Sequence, residues 1–117
     1  MRKTLIFCTF LFVSLLVLAQ NPCPQVIPAL QQWTGGKGTL TLPAQGSIVI
    51  NTADKDVLYD AATILAQDLK ELLGWEYAIR IGKVKNNEIY LSLSKPDEQL
   101  GEEGYVLRIA NRVNVEA

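Results

Sequence analysis

Residues 56–81 read DVLYDAATILAQDLKELLGWEYAIRI, and within them the apolar period changes once. Leu58, Ala61, Ala62, Leu65, Leu69, Leu72 and Leu73 recur at steps of three and four, which gathers them into one stripe of a helix. The spacing predicts a helix over Asp56–Leu73. Asp54 or Asp56 stands where the first backbone N–H groups lack partners, and Gly74 stands just past the last turn. After the glycine the step becomes two: Tyr77, Ile79 and Ile81 alternate with Ala78 and Arg80. A strand with one greasy and one wetter face has that pattern.

The same alternation recurs downstream. Ile89, Leu91 and Leu93 alternate with Tyr90 and Ser92, and Tyr105, Leu107 and Ile109 with Val106, Arg108 and Ala110. Val113 and Val115 alternate with Asn114 and Glu116. Upstream, short strands are expected at Thr39–Leu42 and Ser47–Ile50, separated by Pro43 and Gly46. Lys83–Asn87 is a short polar connection, and Asn111-Arg112 suits a two-residue hairpin. The expected fold is therefore α+β, a mainly antiparallel sheet of about five or six strands with one helix on one face.

Width makes that sheet incomplete. Six strands spaced at about 4.8 Å span roughly 24–29 Å. One helix with its side chains covers only about 10–12 Å. More than half of the apolar face would stay wet, so a second helix, another domain or another chain is expected to cover it.

Residues 1–19 read as a secretory signal. Arg2 and Lys3 precede an apolar run from Leu5 to Leu18, and Val17-Leu18-Ala19 offers small residues for cleavage. The run is about 14 residues, short of the ~20 that anchor a spanning helix. Cleavage after Ala19 would leave nine Lys/Arg against twelve Asp/Glu and take the net charge from −1 to −3. The expectation is export to the periplasm, cell envelope or medium, with no permanent membrane anchor. Cys8 leaves with the signal, so Cys23 is a lone thiol; Gln20-Asn21-Pro22 before it is not a lipoprotein-processing sequence. Residues 20–38, rich in Pro, Gln and Gly, form an extended lead-in to a domain at 39–117.

Composition excludes several functions. The chain of 117 residues holds one domain and has no histidine, which removes Ser-His-Asp triads, Cys-His pairs and His-ligated zinc. A formal net charge of −1 provides no basic field for nucleic acid.

The remaining candidate sites also read as structure. Thr34-Gly35-Gly36-Lys37-Gly38-Thr39 lacks the spacing of a phosphate-binding loop and leads into a strand, not a helix, so it is a turn. Asp54, Asp56 and Asp60 lack the central glycine and closing glutamate of a calcium loop. Helix capping accounts for the first two and solvent for Asp60. Asp97, Glu98, Glu102 and Glu103 form a solvated loop with nothing beside them to raise a carboxyl pKa, as a glycosidase acid requires. Trp33 and Trp75 are read as closing core edges, with sugar stacking the alternative. No catalytic, cofactor-binding or metal residue is assigned.

One family resemblance emerges from the residues. Val26-Ile27-Pro28, then Gly38, Leu40 and Leu42, precede a strand, a helix and three more strands. The closing run Leu100-Gly101-Glu102-Glu103-Gly104-Tyr105-Val106-Leu107-Arg108-Ile109, then Val113-Asn114-Val115-Glu116-Ala117, carries most of the likeness. It is similar to a stretch of the N-terminal domain of family 20 glycoside hydrolases, the β-N-acetylhexosaminidases. The resemblance spans Val26 to Ala117.

It implies an antiparallel sheet with two helices, packed beside a (β/α)8 barrel. That barrel holds a catalytic Asp-Glu pair and uses the substrate's acetamido group as nucleophile. None of the barrel's residues matches a position here; Glu102 and Glu103 fall in the accessory motif. The family pattern continues past the alanine matching Ala117 into a second helix, so the domain reads as truncated at its C-terminal end. The implied role is to pack against and stabilise a barrel, of the same or a neighbouring chain, that removes terminal N-acetylhexosamine. A stand-alone exported carbohydrate-binding or interaction module is the alternative.

Overall fold

The computed structural model describes residues 19–93 and 101–117. The chain divides into two units, one ending at Gly38 and one running from Thr39 to Ala117.

The second unit is built from β1 (Gln45–Ile50), α1 (Lys55–Leu73), β2 (Glu76–Ile81), β3 (Ile89–Ser92), β4 (Val106–Ile109) and β5 (Val113–Glu116). A short 3-10 turn at Thr52–Asp54 leads into α1. The sheet order is β2-β1-β3-β5-β4. β1 pairs in parallel with β2 and with β3, and β3 in parallel with β5; only β4 and β5 run antiparallel.

The sheet is thus five-stranded, mixed and mostly parallel, and the antiparallel expectation is overturned. The reason is α1. Its 19 residues carry the chain back about 28 Å along the sheet. β2 therefore starts at the same end as β1, as in any strand–helix–strand crossover. The short polar stretch after β2 also fails to form a hairpin, because β1 lies between β2 and β3. The expected hairpin between the last two strands does form, but Ile109 opposes Val113, which places Ala110, Asn111 and Arg112 in the loop. Thr39–Leu42 is not a strand; regular pairing begins at Gln45.

Register places the apolar residues on one face. Ile48 and Ile50 of β1 lie level with Ile79 and Ile81 of β2 and with Ile89 and Leu91 of β3. Val113 and Val115 of β5 continue the rows, and Ile109 and Leu107 of β4 close them. α1 seats Leu58, Ala62, Leu65, Ala66 and Leu69 on this face. The core is Ile48, Ile50, Ala62, Tyr77, Ile89 and Leu91. Gly46 makes room for Tyr77, since an added Cβ would lie 2.7 Å from its ring. The Tyr77 hydroxyl donates to the Pro43 carbonyl at 2.7 Å, and burial pushes its pKa up.

α1 packs on β2, β1 and β3, and the apolar rows run on past it. On β4, Leu107 is 50% and Ile109 60% exposed. A second apolar surface lies on the helix itself, where Val57, Ile64 and Leu72 are exposed.

The helix ends as its sequence directs. Gly74 adopts φ 69°, ψ 19°, its N–H donates to Lys70, and the Trp75 N–H turns back to Leu69. Its start differs from expectation: neither Asp54 nor Asp56 makes a side-chain cap. The Asp54 carboxylate instead accepts from the Leu93 backbone N–H at 2.9 Å and from Asn51 Nδ2 at 2.7 Å. It ties the helix entry to the end of β3.

Candidate functional site

The residues singled out by sequence do not converge. In the first unit, the glycine-rich segment is a turn closed on Asn21. The Asn21 N–H donates to the Gly36 carbonyl at 2.8 Å, and its Nδ2 to the Gly38 carbonyl at 2.7 Å. An added Cβ at Gly35 would collide with the Asn21 carbonyl oxygen. Trp33 stays exposed, correcting its reading as a core-edge residue; its indole N–H donates to the same Asn21 carbonyl at 3.4 Å. Cys23 is a free, exposed thiol.

In the second unit, Trp75 does border the core and stacks on Tyr77, with ring centroids 6.1 Å apart and planes 22° apart. Asp56 and Asp60 are exposed on α1, and Asp54 is engaged as described. Glu102 and Glu103 are exposed in a turn, while Asp97 and Glu98 lie outside the described residues. Among the described residues, no group of three or more His, Cys, Asp or Glu side chains could hold a metal ion.

The concentrated polar chemistry lies instead on the face of the sheet opposite α1. Alternation sends Ser47, Val49, Ala78, Arg80, Tyr90, Ser92, Asn114, Glu116, Val106 and Arg108 there. Val49, level with Arg80 and Tyr90, is fully buried. Arg80 Nη2 donates to both oxygens of Glu88, at 2.6 and 2.7 Å, and the Lys85 N–H donates to Glu88 at 2.7 Å. Burial pushes the Glu88 carboxyl up, but the Lys85 N–H and the Arg80 guanidinium outweigh it and hold the pKa below its usual value. Arg108 pairs with Glu116 at 2.8 Å. Tyr90, Ser92, Arg108, Arg112, Asn114 and Glu116 line a shallow depression of about 270 Å³.

Sequence reading placed most of these residues on wetter strand faces without bringing them together. The available signal was the alternation itself; which strands lie side by side was not in it.

The second unit is an α+β domain with an apolar rim on one face and a polar depression on the other. The chain matches the model of glycosyl hydrolase family 20, domain 2, over residues 23–117, and belongs to that family. This is the non-catalytic accessory domain of family 20 enzymes, which normally accompanies a catalytic barrel in the same chain. No curated protein matches the sequence.

Proposed function

We propose that this chain is the exported accessory domain of a β-N-acetylhexosaminidase. It packs against and stabilises a barrel that removes terminal N-acetylhexosamine residues. The observation that supports docking is the apolar face that α1 does not cover. Exposed Leu107 and Ile109 on β4 continue the core rows, and Val57, Ile64 and Leu72 add apolar surface on the helix. Exposed apolar surface of this kind is characteristic of interaction faces. The Arg2/Lys3 start, the apolar run and the Ala19 cleavage position support export.

The test is to express the chain joined to a family 20 catalytic barrel and to measure thermal stability and hydrolysis of a chromogenic N-acetylglucosaminide. The joined protein is expected to melt higher than the barrel alone. Ile109→Glu and Leu72→Glu together should remove the gain without touching any catalytic group. An unchanged midpoint on joining would exclude a stabilising role. Export is checked separately by mass analysis of the product, which is expected to begin at Gln20.

A further inference from the structure

We propose that the depression on the polar face of the sheet binds a sugar acid, with the ligand's carboxylate held by Arg112. Five of the six lining residues come from β3, β5 and β4, and Arg112 comes from the β4–β5 connection. Register sets Tyr90 level with Asn114 and Asn114 with Arg108, while Ser92 is level with Glu116. The five strand side chains therefore share one face, and Arg112 lines the same depression from the connection.

Their charges do not balance. Arg108 is committed to Glu116. Arg112 takes part in none of the ion pairs among the described residues, and its Nε is buried with no hydrogen-bond partner. A half-buried guanidinium with an orphaned donor is costly to keep, and a carboxylate is the group whose geometry a guanidinium matches best. A small shift of the Arg112 side chain toward an anion in the depression would give it that partner.

The other groups favour a hydroxylated ligand over a bare anion. The Ser92 hydroxyl, the Asn114 amide and the Tyr90 phenol provide donors and acceptors, and the Tyr90 ring adds a flat apolar surface. The depression is also opposite the face offered for docking, so a partner on the apolar side leaves it open to solvent. The inference does not depend on the docking reading.

Isothermal titration calorimetry on the full chain tests it with three probes: D-glucuronate, D-glucose and acetate. Glucuronate is expected to bind in the millimolar range, with glucose and acetate each weaker by about tenfold or more. Arg112→Gln should lose glucuronate by at least about tenfold while melting no lower than the parent, because it removes an unpaired charge. Asn114→Ala, which leaves every charge in place, should also weaken glucuronate. No heat with glucuronate, glucose or acetate binding as tightly, or full affinity in either variant would overturn the proposal.

Discussion

Asp54 shows how a single side chain can be chemically well read and structurally misplaced. An aspartate before a helix is a good cap, yet here its carboxylate bonds the Leu93 N–H and the Asn51 amide. The Leu93 N–H first, then Asn51, hold its pKa below the usual aspartate value. A carboxyl whose pKa is lower folded than unfolded stabilises the fold above its unfolded pKa. It loses that contribution as pH falls through the folded value. The expected outcome is that Asp54→Ala melts a few degrees lower at pH 7 and that its deficit shrinks below about pH 4. Asp54→Asn, which keeps an acceptor, should lose less. Melting curves across pH check both.

Glu88 is the stronger test of the polar face. Its side chain is only 13% exposed and holds Arg80 through both oxygens. Glu88→Gln should cost about 1–2 kcal/mol in urea unfolding, since Arg80, itself 37% exposed, can recover part of its solvation.

At the scale of elements, α1 sets the direction of β2 against β1. Its apolar stripe, its length and its terminal glycine were all legible in residues 56–74, and the helix runs from Lys55 to Leu73. Gly74 at φ 69° occupies a conformation that a Cβ penalises. Gly74→Ala should cost about 1 kcal/mol, read as a lower urea midpoint with an unchanged slope. The strands were legible too, because burial on one face forces a period of two. Their pairing was not. Alternation is identical in parallel and antiparallel sheets, so the direction of β2 had to come from the path of the chain through α1, and those of β3 and β5 from the connections that follow. The mispredicted strand at Thr39–Leu42 has a related cause. Leu40 and Leu42 alternate well, but the ladder starts only at Gln45, with Gln45 opposite Glu76.

For the molecule as a whole, the apolar layer is wider than its cover. The sequence argument from sheet width anticipated this, and Leu107 and Ile109 are the apolar residues left exposed on β4. The chain by itself is expected to self-associate through that rim. Sedimentation at increasing concentration should show association, and Leu107→Glu with Ile109→Glu should return it to monomer. A concentration-independent monomer for the parent chain would refute the expectation.

The sequence by itself determined the helix and its stop, the one-sided strands, the lack of histidine chemistry and, through the run from Leu100 to Ala117, the likeness to family 20 accessory domains. These depend on local spacing and residue type. Only the tertiary structure decided strand order and direction, and the engagement of Asp54 with Leu93. It also decided the meeting of Tyr90, Asn114 and Arg112 on one polar face. Those depend on which segments become neighbours, and a neighbour 22 or 39 residues away leaves no trace in the local pattern.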